Sequence, residues 1–265
     1  MSKTILVTGA TDGIGLEAAR ILLTAGHTVL LHGRNEAKLK KVVTELSGIP
    51  GGAVDSFIAD LTNLGDVDAM AAKIAQQYSS LDVLINNAGV LKSTQTKTTD
   101  GLDIRFVVNT LAPYRLMQKL LPIMGASGRV VNISSAAQVP VNLEALKGNF
   151  DLEDIEAYAQ SKLAITMWSF ELAKQAGLPS VIAVNPGSML ASKMVKDGFG
   201  VEGRDIFIGA NILVKAAIDD AFQKANGLYF DNDAGVFGEP HADAKKSDKC
   251  IKLIGVMDEL IKGCI

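Results

Sequence analysis

Thr8-Gly9-Ala10-Thr11-Asp12-Gly13-Ile14-Gly15 separates two segments of different character. Before it lies the short apolar run Thr4–Val7; after it, Ile14, Ala18, Ile21, Leu22 and Ala25 recur with a helical period. A strand that turns on glycines into a helix is the opening unit of a parallel α/β sheet. Glycine allows the tight turn and lets backbone N–H groups approach a pyrophosphate at the positive end of the helix. The spacing is G-x-x-x-G-x-G, not the G-x-G-x-x-G dinucleotide fingerprint. Three glycines in such a turn can also serve geometry alone, so the loop by itself leaves its ligand open.

Beyond the loop the same two periods alternate. Strand-length runs rich in Val, Ile and Leu follow at Thr28–Leu31, Ser56–Ala59, Val83–Ile85, Arg129–Ile133, Val181–Val184 and Leu228–Phe230. Their nearly continuous apolar character is what a sheet covered on both faces requires. Helical segments lie between them, one carrying Leu163, Ile165, Trp168, Leu172 and Ala176. The alternation predicts one α/β domain over residues 1–265, a doubly wound Rossmann-type fold with a seven-stranded parallel sheet flanked by helices. Ser47–Ala53 reads as turn chemistry, not as an interdomain linker. Gln138–Asp154 and Gly187–Arg204 are irregular stretches that leave the carboxyl ends of strands, where ligands bind in open parallel sheets. They are expected to wall a substrate pocket.

Composition excludes several classes. The 265 residues are 48% hydrophobic and 21% charged, the profile of a globular chain with a large core. A net charge of −3, from 29 acidic and 26 basic residues, provides no footprint for nucleic acid or an anionic membrane, and neither is expected as a partner. Cys250 and Cys264 have neither C-x-x-C nor metal-ligand spacing, and His27 and His241 belong to no cluster, so no disulfide and no metal site are expected. The Thr4–Thr8 run reaches Gly9 too soon for a signal peptide. Gln175–Ser192 is free of charge but is interrupted by Pro179, Asn185 and Pro186, which argues against a transmembrane helix. Cys264 stands second from the end, so the prenylation pattern fails. A cytoplasmic location is the expectation.

The pattern T-G-x-x-x-G-x-G resembles the short-chain dehydrogenase/reductase family, and further motifs follow in that family's order. They are Asp60-Leu61 after the third strand, Asn86-Asn87-Ala88-Gly89 after the fourth, and Asn109 in a long helix. Ser134-Ser135 follows the fifth strand, then Tyr158-x-x-x-Lys162, then Asn185-Pro186-Gly187 after the sixth. The resemblance covers about residues 1–230. It implies a dinucleotide site formed by Thr8, Gly9, Thr11, Asp12, Gly13, Ile14 and Gly15, with Arg34, Asn35, Asp60 and Leu61 toward the adenosine. Asn87, Ala88, Gly89, Tyr158, Lys162, Pro186 and Gly187 complete it toward the nicotinamide.

The end of the second strand bears on which nucleotide is taken. An acidic residue there binds the ribose 2′-hydroxyl of NAD. This chain reads Leu31-His32-Gly33-Arg34-Asn35, with glycine in that place and a permanently charged arginine beside it. A charge-assisted hydrogen bond of roughly 1.5–3 kcal/mol favours NADP(H) over NAD(H) by about 10- to 100-fold. Asp12 is acidic where some NADP-preferring relatives are basic, and the alternative reading of Arg34 is a solvated residue at a helix start, disfavoured by its pairing with the missing carboxylate. His32 lies on the adenosine side and is read as structural.

Tyr158 and Lys162, four apart on a helix, share a face. An ammonium about 4 Å from a phenol, at an effective dielectric near 20, contributes about 4 kcal/mol. That lowers a tyrosine pKa by about three before desolvation opposes it, and the positive oxidised nicotinamide acts in the same sense. By the resemblance, Tyr158 protonates a carbonyl oxygen as hydride arrives and Lys162 also holds the ribose hydroxyls. Ser135, the second serine of its pair, orients the carbonyl, and Asn109 positions a relay water.

The chain also departs from the family pattern. Ser135 lies 23 residues before Tyr158, farther than in many relatives. The longer loop and Ser161-Lys162-Leu163-Ala164 resemble the branch of retinol dehydrogenases, WW-domain oxidoreductases and protochlorophyllide reductases, though a retinoid substrate does not follow. Ala191 stands where relatives often carry a threonine that touches the nicotinamide carboxamide, with Ser192 next to it as a substitute. Residues 187–207 carry Met189, Leu190, Met194, Val195, Phe199 and Phe207, which suit either an apolar substrate lid or a packed surface helix. Val139, Val141 and Leu143 could form the opposite wall. About residues 247–263 read as an amphipathic closing helix, on the domain's own body or on a second subunit of a homodimer or homotetramer. The leading expectation is an NADP(H)-dependent oxidoreductase for a moderately hydrophobic small-molecule carbonyl or alcohol. The alternatives are an NADP(H)-binding redox sensor, disfavoured because Asn109, Ser135, Tyr158 and Lys162 are all kept, and a C=C reductase of the same family.

Overall fold

In the computed structural model, which describes residues 2–264, strands and helices alternate along the chain. The first half runs β1 (Thr4–Val7), α1 (Gly13–Thr24), β2 (Thr28–Gly33), α2 (Glu36–Leu46), β3 (Ala53–Ile58), α3 (Leu64–Gln77) and β4 (Val83–Asn86). Then come α4 (Ile104–Phe106), a π-helical turn Val107–Leu111, α5 (Ala112–Met124), β5 (Arg129–Ile133), α6 (Leu143–Leu146) and α7 (Asp154–Leu172). The chain closes with β6 (Ser180–Asn185), α8 (Lys193–Phe199), α9 (Ile206–Ile218), β7 (Tyr229–Asp231), β8 (Val236–Gly238) and α10 (Ser247–Gly263). Helix starts follow local chemistry: Asp12, Asn35 and Asn63 each cap the helix that follows by accepting first-turn N–H groups.

The sheet order is β3-β2-β1-β4-β5-β6-β7-β8. The chain reverses its direction of travel across the sheet between β1 and β4, which opens a crevice at their carboxyl ends. Strand alternation divides the core in two. Leu6, Leu30, Leu84, Val130 and Val181 face the layer that includes α3, α5 and α7; Ile5, Val7, Val29, Ile85, Val131 and Ile182 face the layer of α1, α2 and α9. All of these strand residues are fully buried, which is why their runs are apolar at every position.

The sheet has eight strands, not the seven expected, and the eighth pairs antiparallel with β7. β8 is three residues long, too short to register as a periodic run. It is held by tertiary packing: the rings of Phe222, Phe230 and Phe237 lie pairwise 5.1 Å apart. β3 begins at Ala53, earlier than expected, because the edge strand pairs with β2 through the polar Asp55 and Ser56. α10 packs on the domain's own body, where Cys250, Leu253 and Met257 join the core beside α7. There Tyr114 stacks edge-on against Trp168 at 5.6 Å and donates its hydroxyl hydrogen to Asp258 at 3.0 Å.

Candidate active site

The loop between β1 and α1 is fixed mainly by backbone approach. Gly9 has φ +66°, and a Cβ there would stand 2.9 Å from Ala88 Cα. Thr8 and Asn87 tie the loop to the end of β4. The Thr8 hydroxyl accepts the N–H groups of Asn87 and Ala88 at 3.0 Å each, and Asn87 Nδ2 donates to the carbonyls of Thr8 (2.9 Å) and Gly9 (3.2 Å). Both side chains thus serve the loop's shape, leaving Gly13, Ile14 and Gly15 to present the first turn of α1. His32 completes the brace: buried, it accepts the Gly9 N–H at 3.2 Å through Nδ1 and bonds the Ala59 carbonyl at 3.1 Å through Nε2. Burial lowers its pKa, so the neutral ring with hydrogen on Nε2 satisfies both contacts. The structural reading of His32 is therefore the right one, although the sequence did not show what it holds.

At the end of β2, Gly33 is open by necessity: a Cβ there would meet Thr11 Cγ2 at 2.5 Å. Arg34 is exposed at the mouth, and Asn35 is engaged as the cap of α2, accepting the Lys38 N–H at 2.9 Å. One cation at this end escaped the sequence reading. Lys38 Nζ lies 2.6 Å from Asp12, and that contact lowers the Asp12 pKa. Asp12 is thus neutralised from α2, a contact invisible to spacing arguments because the partners are 26 residues apart. Asp60 accepts the backbone N–H of Thr62 at 3.0 Å beside a polar cavity of about 270 Å³, while the Leu61 side chain points into the core.

α7 carries Tyr158 and Lys162 and is buried along most of its length, so its polar residues must be satisfied internally. Lys162 is 3% exposed, and its ammonium donates to the Ile133 carbonyl at 2.7 Å. Burial depresses its pKa to about 7. Its Nζ stands 5.6 Å from the centre of the Tyr158 ring. Tyr158 differs from expectation: burial raises its pKa, opposed by the Ser135 hydroxyl. The reason is physical: burial disfavours the phenolate, and the one hydrogen bond from Ser135 does not outweigh it.

The two serines are sorted by their contacts. Ser134 is buried, with its hydroxyl engaged by Thr166 Oγ1 at 2.6 Å and the Lys162 carbonyl at 3.2 Å. Ser135 faces the phenol, and its carbonyl is braced by Gln138 Nε2 at 2.9 Å and the Tyr229 hydroxyl at 3.1 Å. Asn109 lies in the π-helical turn, not in a regular helix. Its amide is fully committed, accepting the Val90 N–H (2.8 Å) and donating to the Val90 carbonyl and Ser161 Oγ (2.9 Å each). Arg105, which no motif singled out, is buried between Asp103 and Asp154 and so ties this turn to the first turn of α7.

The segment after β6 folds over the crevice. Pro186 is buried, and its carbonyl accepts from Asn232 at 2.9 Å, while the Gly187 N–H donates to Asn185 Oδ1 at 3.2 Å. Ser192 caps α8 and lies over Gly13, and its neighbour Ala191 is exposed. Around the point where a Gly89 Cβ would stand converge Asn109 Oδ1 (3.4 Å), Lys162 Nζ (3.5 Å) and the Met194 methyl (3.6 Å). Met189, Phe199, Val201 and Phe207 remain exposed on this segment, and Phe150 and Ile155 on the stretch before Tyr158. Among the described residues no His, Cys or carboxylate cluster could hold a metal, and no helix is long and apolar enough to cross a membrane.

Comparison with known proteins bears on the family and the fold. The chain is 34% identical to human retinol dehydrogenase 13 over 70% of its own length, a match that spans 58% of that longer protein. It is 30% identical to the short-chain dehydrogenase chyC of Penicillium rubens, covering 98% of this chain and 95% of that one. A short-chain dehydrogenase of Escherichia coli CFT073, solved with NADPH, superposes with a TM-score of 0.70 at 30% identity, over 87% of this chain and 96% of that one. The short chain dehydrogenase family model matches residues 3–199, from β1 through the end of α8. By its fold, its crevice and this match, the chain belongs to the short-chain dehydrogenase family.

Proposed function

We propose that this protein is an NADP(H)-dependent oxidoreductase that moves hydride between the nicotinamide and the carbonyl or alcohol carbon of a moderately hydrophobic small molecule. The observation that carries the reading is the convergence of Tyr158, Ser135 and the buried Lys162 at the carboxyl end of β5, beside the glycine loop. The residues fit a dinucleotide. Gly9 and Gly15 let the loop pack against Ala88 and Asn87, Gly13 leaves the start of α1 open to a pyrophosphate, and Gly89 leaves a cradle that a Cβ would fill. Lys162 has one acceptor, Ile133, for its three N–H bonds, which leaves donors for ribose hydroxyls. Arg34, exposed beside a glycine, suits a 2′-phosphate. The NADPH bound to the E. coli relative supports the same choice.

The bound cofactor supplies or accepts the hydride. Tyr158 holds the exchanged proton on Oη and passes it to the carbonyl oxygen in reduction, or takes it from the alcohol in oxidation. Its raised pKa keeps it protonated through neutral pH, the state reduction needs. Ser135 donates to the carbonyl oxygen and fixes its position. By the family resemblance, Asn109 positions a relay water beside Lys162, from a side chain that is itself held by Val90 and Ser161. Residues 187–207 form the substrate lid, whose Met and Phe side chains adapt to an apolar molecule.

The test is NADPH consumption over a panel of ketones, aldehydes and quinones, with Tyr158→Phe beside the wild type. Turnover that falls by about 10²- to 10⁴-fold in the variant, with NADPH binding retained, is the expected result. Tight NADPH binding without turnover on any compound would instead favour a cofactor sensor.

A further inference from the structure

The stretch 187–207 is closed at its neck. The Arg204 N–H donates to the Met189 carbonyl at 2.6 Å, the Ala191 N–H to the Arg204 carbonyl at 2.7 Å, and Leu190 and Arg204 form a β-bridge. Met189 sits at φ 54°, a backbone state that a methionine keeps only when its surroundings hold it there. A second hold lies outside the stretch, on the turn between β7 and β8. The Asp233 carboxylate receives the Ser188 N–H on both oxygens (2.9 and 3.0 Å) and the Ser188 hydroxyl at 2.6 Å. It also receives Asn185 Nδ2 at 3.0 Å and the Arg204 guanidinium at 3.1 Å. Four donors from three residues fill the capacity of one carboxylate. Burial alone would raise the Asp233 pKa, but the donors from Ser188, Asn185 and Arg204 outweigh it and lower the value. The same side chain therefore grips both sides of the neck, at Ser188 and at Arg204, and anchors them to the last residue of β6, Asn185.

We infer that Asp233 is a positioning residue for catalysis, a clamp that sets the angle at which α8 and Met194 lie over the nicotinamide end of the crevice. Gripping both sides of the neck makes them move as one body, so the roof, 192–203, closes or opens as a unit. No motif marks Asp233, because it lies 45 residues beyond Ser188 and on the opposite side of α9 in sequence. The inference rests on the reading of residues 187–207 as a substrate lid, and two separate readouts keep the two ideas apart.

The first readout is limited trypsin digestion of the full-length protein, followed at the exposed Lys193 and Lys196 of α8. Asp233→Asn, which keeps the shape and removes the charge, is expected to be cut there about tenfold faster, with a melting temperature within about 2 °C of wild type. The second is steady-state kinetics on a compound that the wild type reduces. KM is expected to rise about tenfold, with kcat changed less than about threefold. Cleavage at the wild-type rate would overturn the clamp. Faster cleavage with KM unchanged would support the clamp and overturn the lid reading. The digestion needs no substrate, so it decides the clamp even if no compound on a panel turns over. Should Asp233→Asn fail to fold, Ser188→Ala and Arg204→Gln remove the same contacts from the other side, and each is expected to speed cleavage about threefold; wild-type rates in both would overturn the clamp equally.

Discussion

The glycine loop and segment 187–207, which we propose as the substrate lid, lie on the two sides of one crevice and are held in different ways. Around the loop, backbone meets backbone: Gly9 against Ala88, with Thr8, Asn87 and His32 filling the remaining donors and acceptors. Around segment 187–207, backbone bonds close the neck, but side chains tie it to the rest of the domain: Asp233 on Ser188 and Arg204, Leu190 beneath, and Met194 resting near Lys162. Backbone packing tolerates almost no change in volume, whereas a neck gripped by one carboxylate can release as a unit. A site for an unvarying cofactor can be built the first way. A site that admits and releases substrate needs the second.

The largest effect is expected where the two regions meet, at Lys162. Its pKa in the folded protein is about 7 against an ordinary 10.5, so below pH 7 the fold bears the full cost of a buried ammonium. The unfolded chain binds the extra proton between these values, so stability rises with pH across that window, by on the order of 5 kcal/mol as an upper bound. The melting temperature of the cofactor-free protein should climb from pH 7 to about pH 10, and Lys162→Met should lose that climb. Parallel curves for the two proteins would remove the boundary from the picture.

A next test adds one methyl to the rigid side. Gly9→Ala forces a Cβ into a left-handed residue and against the Ala88 backbone, and should cost about 2 kcal/mol or more in stability while weakening NADPH binding. Calorimetry and cofactor titration would check it, and wild-type values would show the loop to be as yielding as the lid. The smallest expected effect sits at the rim. Arg34→Ala should weaken NADPH about 10- to 100-fold and leave NADH nearly unchanged. Equal losses for both nucleotides would sink the 2′-phosphate assignment.

How much of this could be read in advance differs from residue to residue. β1, β2 and β5 were legible because strands covered on both faces are apolar at every position, so the run itself marks the element. β8 was not, since Val236–Gly238 owes its pairing to a ring cluster that includes Phe222, from before β7. Ser135 and Tyr158 were legible from their motifs, yet the direction of the Tyr158 pKa was not, because it depends on how deeply α7 is buried. Arg105 and Lys38 carry no motif, and their partners Asp154 and Asp12 lie far off in sequence.

By itself, then, the order of residues determined the alternation of strand and helix, the glycine turn into the first helix, and the loops at the carboxyl ends of strands where a ligand is expected. Those follow from local periodicity and from turns that only glycine makes cheaply. The tertiary structure alone decided how the groups are charged and which distant residues hold one another. Desolvation of Lys162, neutralisation of Asp12 by Lys38 and the grip of Asp233 on both sides of the lid neck all join residues distant in the chain. Electrostatic energy depends on distance and burial in space, and neither is written in sequence spacing.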